Sequence, residues 1–509
     1  MRRVSVAAPS SIAAGAAAAV ADLGGNAVDA AVAATITGMV TEPGMIAPGA
    51  GGFITVWPPG GDPVVIDAYA EMPGRGLEPG AVHGFGRRVH MAYGGGMETL
   101  VGHRSVATPG AVAGLGLASE RYGAVPWAEV VAPAVEWADR GFPLSPVAGS
   151  YLAYSHEPIF DVHPDSARAL HHPDGTPLAV GDRVHVDGLA DSLRILAAEG
   201  PGAFYTGSLG RRIAAEVAGN GGRLTEADLA AYRPIVRTPV TAEADGWRVA
   251  TNPPPALGGA VLAAMLVLLD DHPFSAWTAE EARRLATVQR AVLRYRAREM
   301  DRATDREAAA ARLLEAARAG DLSELLSSPS TIHTSAVDGD GLGCAVTVSA
   351  GYGSGVVVPG TGLWLNNSLG EIELLSEDLH LEPGDRLPSN MAPTVARRSD
   401  GAVLAIGSPG ASRITTAIAQ VLLNFFHLGM SLSEAVAHPR LHVEVFDGRP
   451  TIAYEPGLPV EGFDDLAARR FPDLSMYFGG VGVTLWDPAA GHFQATDPRR
   501  SGAVVSAGR

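Results

Sequence analysis

Short stretches in which apolar and polar residues alternate give way to longer runs with helical spacing, and glycine or proline marks most of the changes. Residues 4–8 read as a strand. A helix is predicted over 12–23, capped by Ser10 or Ser11 and closed by Gly24-Gly25. A second follows Asn26 as cap and runs to residue 34, its alanine-rich face suited to close packing. Glu42-Pro43-Gly44 and the flexible stretch Pro48-Gly49-Ala50-Gly51-Gly52 lead into strands at 53–57 and 64–67. Residues 108–142 and 188–232 are mainly helical, with Thr225 opening a capped turn. A strand at 247–251 precedes Pro253-Pro254-Pro255 and Gly258-Gly259, and a long helical region covers 279–319. Residues 321–330 read as an exposed linker.

Beyond residue 331 the texture becomes strand and turn, with strands at 331–337, 344–349, 355–358 and 402–406. Helices are predicted near 412–428 and 431–437, then strands at 481–486 and 492–496. The whole reads as helices flanking sheets, with no linker that separates independent domains.

Composition narrows the chemistry. The chain has 509 residues, 47% hydrophobic and 18% charged, which is globular rather than disordered. Its net charge of −17 argues against nucleic acid or an anionic membrane surface as partner. All 38 basic residues are arginine, so a Schiff base to pyridoxal phosphate, a Walker A lysine and a Ser–Lys dyad are excluded. Cys344 is the single cysteine and lies in an apolar run, as a buried small hydrophobe would. The start superficially resembles a signal peptide, but Pro9, Ser10, Ser11 and Asp22 break the apolar run. It is read as part of the fold, and the protein as cytoplasmic; no apolar stretch is long enough to span a membrane.

Several catalytic signatures are missing. No Gly-x-Ser-x-Gly elbow occurs, since Ser354 and Ser408 lack glycine two residues earlier. No Gly-x-Gly-x-x-Gly opens a helix after a strand, and Pro48 to Gly52 precedes a strand, so it reads as a tight loop near the site rather than a phosphate cradle. The histidines at 171 and 172 and at 438 and 442 match no ligand spacing, so neither metal nor cofactor is expected. Gly407-Ser408-Pro409-Gly410-Ala411-Ser412-Arg413 stands between a strand and a helix; its N–H groups suit an oxyanion, though an ordinary Gly-Pro turn reads the same way.

Ser330-Thr331-Ile332-His333-Thr334 by pattern alone begins a strand with Ile332 and Thr334 on one face. Thr331 is also a candidate nucleophile. A threonine hydroxyl needs a base, and a threonine that begins a chain has one in its own α-amine. Cleavage between Ser330 and Thr331 would create that amine and give fragments of 330 and 179 residues.

A series of motifs decides between these readings. They include Gly24-Gly25-Asn26-Ala27-Val28-Asp29-Ala30-Ala31, Glu42-Pro43 with the glycine-rich stretch, Thr108-Pro109-Gly110, Ala203-Phe204-Tyr205-Thr206-Gly207 and Asp228-Leu229-Ala230-Ala231-Tyr232. They continue through Thr331-Ile332-His333, Gly362-Leu363-Trp364-Leu365-Asn366-Asn367, Met391-Ala392-Pro393-Thr394, Gly407-Ser408-Pro409-Gly410 and Asp497-Pro498-Arg499-Arg500. In this order, over nearly the full length, they resemble the gamma-glutamyltranspeptidase family of N-terminal nucleophile hydrolases.

The resemblance implies an α/β (α+β) four-layer αββα sandwich built from both fragments, residues 1–330 and 331–509, of one self-cleaving precursor. The fragments would remain together as a heterodimer, or as a dimer of such heterodimers. It implies that Thr331 attacks an acyl amide and that water or an amine resolves the acyl-enzyme. Ser349 matches a threonine that orients the nucleophile, and Gly410 and Ala411 match the oxyanion hole, with Ala411 in place of a second glycine. Ser389 and Asn390 match a serine pair that binds the substrate carboxylate, and Glu371 matches an aspartate facing the substrate amine. Two departures bear on the substrate. The family's carboxylate-binding arginine is absent from residues 67–73, and Gly351 replaces an asparagine of the site. The segment from Leu369 to Arg386 is short, so no lid loop is expected. Alternatives are a glutaryl-type acylase, a biosynthetic homologue that cleaves another bond of a small metabolite (including a C–C bond), and an unprocessed, silent homologue with a binding role.

Overall fold

The computed structural model describes residues 3–508 except 79, 93–95, 302, 304, 320–331, 373, 376–379, 447, 462 and 464. Two antiparallel sheets lie face to face with helices on both outer sides, the expected αββα layering. The first sheet has seven strands in the order Ala503–Ala507, Val4–Ala8, Ile332–Asp338, Gly343–Ser349, Gly51–Trp57, Val64–Ala68 and Ile235–Arg237. The second has six, in the order Gly491–Thr496, Gly482–Asp487, Val403–Gly407, Thr394–Arg398, Trp247–Thr251 and Val240–Ala244. Strands from before residue 330 and after residue 331 are therefore neighbours in both sheets.

Strand periodicity assigns each face. In Ile332–Asp338, Ile332 and Ala336 face the helical layer. Val337 faces the other sheet and, with Ala345 of its own sheet, packs against Val395, Val403 and Ala405. The helix Ala27–Thr41 is buried along its whole length, and only small residues allow that closeness. Its capping box, Asn26 with Asp29, satisfies the first turn. It is tied to the central strand by Thr35 Oγ1 to Thr334 Oγ1 at 3.3 Å and by Ala27 N to Asp338 Oδ2 at 3.3 Å. On the far side Gly258–Asp270 and Arg413–Phe426 cover the second sheet.

Three local expectations change. Gly51 and Gly52 are not a flexible loop; they pair with Ser349 and Val348 as the start of a strand. The second helix extends to Thr41, beyond the alanine-rich run. The helical region after residue 279 is interrupted, with Ala279–Tyr295 and Arg306–Ala319 separated by a wide turn at Arg296–Met300. Cys344 is fully buried, and burial pushes its thiol pKa up, so it packs as a hydrophobe. Among the described residues no helix is long and apolar enough to cross a membrane.

A buried ionic cluster explains Asp497-Pro498-Arg499-Arg500. Arg499 bonds Glu455 and lies 3.0 Å from Asp497 Oδ1, while Arg440 Nη2 lies 2.6 Å from Asp497 Oδ2. The same carboxylates accept from the backbone N–H groups of Val481 at 2.8 Å and Ser475 at 2.7 Å. The cluster thus fixes the 475–481 segment. Removing one partner strands the others in the interior, so Arg499→Ala is expected to lower unfolding stability by about 3–5 kcal/mol in denaturant titration.

Candidate active site

Ser330 and Thr331, the expected cleavage site and nucleophile, lie outside the described residues. The strand that starts at the next residue, Ile332, is central in its sheet. Ile332 pairs with Val348, so Ser349 stands at the same end of that ladder as Ile332. Ser349 is buried, and its Oγ accepts the Gly351 N–H at 3.1 Å.

His333 joins this strand to the turn predicted to bind an oxyanion. Its Nδ1 lies 2.8 Å from Thr347 Oγ1 and its Nε2 2.6 Å from Ser335 Oγ, whose hydroxyl donates to the Gly482 carbonyl at 3.2 Å. Ser335 uses its hydrogen on Gly482, so Nε2 carries the proton and Nδ1 accepts from Thr347. Burial pushes the imidazole pKa down to about 3, so the ring is neutral at neutral pH. A Cβ on Gly407 would lie 2.3 Å from His333 Cε1, which is why glycine ends that strand.

After Gly407 the chain turns through Gly410, with φ at 125°, and Ala411, with φ at 67°. A left-handed alanine costs roughly 1–2 kcal/mol, so surrounding contacts impose the conformation. Ser408 Oγ supplies one, donating to Pro409 O at 2.6 Å and accepting Gly480 N–H at 3.0 Å. The carbonyls of Gly410 and Ala411 receive the N–H groups of Arg413 and Ile414. Among the described residues their own N–H groups meet no acceptor. Two adjacent donors at a helix start suit a developing oxyanion.

The predicted substrate-binding residues also come together. Glu371 is buried, and Tyr69 donates its hydroxyl to Glu371 Oε2 at 3.3 Å. Burial, and then the Glu371 charge, push the Tyr69 pKa well above the ordinary phenol value, so it stays a neutral donor near the Ser389 hydroxyl. Ser389 Oγ accepts the Met391 N–H at 3.2 Å, and Ser389 O receives Leu257 N–H at 2.7 Å, so the helix Gly258–Asp270 supports the Ser389-Asn390 turn. Gly351 has φ at 62°, and a Cβ there would lie 2.2 Å from Asn367 Oδ1 and 3.2 Å from Glu371 Oε1. Asn367 Oδ1 already accepts the Tyr352 N–H at 2.7 Å and fills the space an asparagine at 351 would need.

Sequence reading missed Tyr69 and Arg386. Arg386 packs against the segment without arginine, but carboxylates already hold it. Its Nε lies 3.2 Å from Asp67 Oδ1, Nη1 bonds Glu71, and Nη2 donates to Arg233 O at 2.6 Å. Part of the short segment expected to lack a lid, residues 373 and 376–379, lies outside the described residues. Its end is pinned, with Met72 N–H donating to Asp385 O at 2.8 Å and Leu387 N–H to Ala70 O at 3.0 Å.

Beside the start of the central strand a pocket is lined by Glu42, Ile332, His333, Pro409, Gly480 and Arg500. Burial raises the Glu42 carboxyl to a pKa of about 7, although hydrogen bonds from Ser145 and Ser10 favour its charged form. Sequence alone marked Glu42 only as part of a Glu-Pro turn.

A model of the gamma-glutamyltranspeptidase family matches residues 13–507. The chain is 30% identical over 455 residues to the glutathione hydrolase proenzyme of Escherichia coli K12, covering 82% of this chain and 77% of that protein. It is 33% identical over 458 residues to the acylase ACY 1 proenzyme of Pseudomonas sp. SE83, covering 83% and 79%. Its structure resembles that of cephalosporin acylase from Bacillus halodurans, with a TM-score of 0.79, 25% identity, and coverage of 99% of this chain and 95% of that one.

The Glu42 carboxyl has a signed consequence for pH. Its folded pKa of about 7 lies above the ordinary carboxyl value of 4.5, so the folded state holds the proton more tightly. The native form is favoured below 4.5, and that advantage is lost as pH rises through 7. Across the window it amounts to about 3 kcal/mol. Thermal melts should show the wild type gaining on Glu42→Gln between pH 8 and pH 5; parallel profiles would refute the assignment.

Proposed function

The chain belongs to the gamma-glutamyltranspeptidase family, and from that membership we propose that it is a self-processing N-terminal threonine amidohydrolase acting on a gamma-glutamyl or related acyl amide. The observation that carries the reading is the approach of two elements. The strand starting one residue after Thr331 meets, through His333 and Gly407, the turn that presents the Gly410 and Ala411 N–H groups.

In the proposed maturation Thr331 Oγ1 attacks the carbonyl carbon of Ser330. The acyl group shifts from nitrogen to oxygen, which breaks the Ser330–Thr331 peptide bond and frees the Thr331 α-amine; water then hydrolyses the ester, releasing the Ser330 carboxylate and restoring the Oγ1 hydroxyl. Residues 1–330 and 331–509 stay together because their strands are hydrogen-bonded neighbours in both sheets. In turnover the free amine takes the Oγ1 proton as Thr331 attacks the substrate carbonyl. The Gly410 and Ala411 N–H groups hold the resulting oxyanion, and the leaving amine departs with a proton. Water then attacks the ester and releases the acid. Ser349 orients the nucleophile, while Glu371, Ser389 and Asn390 line the acyl pocket, with Gly351 leaving room for Asn367.

A second reading, a glutaryl-type acylase, is supported by the likeness to the acylase ACY 1 proenzyme and to cephalosporin acylase. Arg386 is held by Asp67 and Glu71, and the side chain turned toward Glu371 is the neutral Tyr69. A glutaryl group keeps the carboxylate of a gamma-glutamyl group and lacks only its α-amine, so both would leave that carboxylate to the hydroxyl and amide groups of Ser389 and Asn390, and the two would differ at Glu371.

Two outcomes are expected. Intact mass and N-terminal sequencing of the purified protein should give two co-purifying chains, the smaller beginning Thr-Ile-His-Thr. Thr331→Ala should remain one chain and lose at least about 1,000-fold in kcat, as expected when a nucleophile is removed; cleavage at the same bond in that variant would overturn the mechanism. Comparing gamma-glutamyl-p-nitroanilide with glutaryl-p-nitroanilide then separates the two substrate readings by kcat/KM.

A further inference from the structure

Away from this site the fold gathers His103, His163 and Glu216, and each offers one ligand atom within 4.8 Å of the others. They come from three separate elements. His103 opens the turn His103–Ser105, His163 immediately precedes the helix Pro164–Leu170, and Glu216 lies on the helix Ser208–Gly219. No spacing in the sequence announces them, because only the tertiary fold makes them neighbours.

The geometry is close to that of a bound ion. Glu216 Oε1 lies 2.8 Å from His103 Nε2 and 3.8 Å from His163 Nε2. A tetrahedral ion with bonds of about 2.0–2.1 Å needs ligand atoms about 3.3 Å apart. The two separations bracket that value, so side-chain adjustment alone would close the site. The two rings are tilted by 58° rather than stacked, with centroids 6.1 Å apart. His163 Nδ1 is buried and meets no hydrogen-bond partner among the described residues. Burial lowers the His163 pKa, which keeps the ring neutral and available as a ligand. Asn220 Nδ2 donates to Glu216 Oε1 at 3.0 Å and orients the carboxylate.

We propose that His103, His163 and Glu216 bind one divalent transition-metal ion of the zinc class, with water completing the coordination. Two imidazoles and one carboxylate suit Zn²⁺ rather than Ca²⁺ or Mg²⁺, which favour oxygen ligands alone. The ion acts as a clamp. His103 follows a strand whose Thr99 hydroxyl donates to Gly370 O at 2.8 Å, and Gly102 N–H donates to Ser354 O at 2.9 Å. Binding would therefore fasten the helix Ser208–Gly219 to the segment that leads into Glu371.

The test uses the full-length protein stripped with chelator. Calorimetric titration with Zn²⁺ should give one saturable site per chain, and Co²⁺ should give the intense visible bands of a tetrahedral site. His103→Ala/His163→Ala should weaken Zn²⁺ binding by more than about 100-fold, the most that loss of one supporting hydrogen bond costs a metal site. His156→Ala/His171→Ala removes a pair beside Asp161 whose ligand atoms do not all lie within 4.8 Å of one another, and should bind as the wild type does. Absence of saturable Zn²⁺ binding and of tetrahedral Co²⁺ bands in the wild type would overturn the proposal, whether or not the variants fold. Undiminished binding by a folded His103→Ala/His163→Ala protein would overturn it equally.

Discussion

The two sheets meet at the catalytic end only because residue 407 has no side chain. The His333 ring occupies the place where its Cβ would stand, 2.3 Å from Cε1. Any other residue there would push the strand that carries His333 away from the turn at Gly410 and Ala411. The ring is held neutral by burial and fixed in one tautomer by Thr347, Ser335 and, through Ser335, Gly482. A charged imidazole in this dry position would cost more than its two hydroxyl partners return. The contact therefore sets both the spacing and the orientation of the elements on which the proposed chemistry rests.

Around that contact the fold distributes its stabilisation so that a cut before Thr331 is tolerable. The strand Ile332–Asp338 is hydrogen-bonded to Val4–Ala8 on one side and Gly343–Ser349 on the other. Gly343–Ser349 in turn pairs with Gly51–Trp57. Each half of the chain thus completes sheets that the other begins, and separating them would break four strand pairings and expose a continuous apolar core. Opposite the oxyanion turn, Arg440, Arg499, Asp497 and Glu455 hold the 475–481 segment, which presses Gly479 and Gly480 against Ser408 and Pro409. The strained backbone at Ala411 is sustained from that side.

The proposed acyl pocket is built without the arginine that the family resemblance leads one to expect in residues 67–73. A carboxylate, Glu371, and a neutral phenol, Tyr69, share one hydrogen bond, and residues 67–73 hold no arginine. Arg386 comes near in space, but Asp67 and Glu71 match its charge. Moving that guanidinium into the pocket would break both of these pairings and leave Asp67 with Arg237 and Glu71 with Arg75. In the proposed site, recognition would rest on hydroxyl, amide and carboxylate groups rather than on an arginine fork.

The sequence by itself determined the αββα layering, most strands and helices of the core, and the order of the site motifs. Alternation in 332–338 and 344–349 and the cap at Asn26 are local signals, set by strand pleat and by unsatisfied N–H groups at a helix start. Ser349, Glu371, Ser389, Asn390, Gly410 and Ala411 were singled out through the family resemblance, by their positions relative to its motifs. Only the tertiary structure decided which groups face one another. It turned Gly51-Gly52 from a loop into a strand, carried Arg386 to Asp67 across 319 residues, and aimed Tyr69 at Glu371 across 302. It also gathered His103, His163 and Glu216 from three elements. Such contacts depend on how sheets and helices pack, and a linear pattern records the period of an element but not the identity of what it meets.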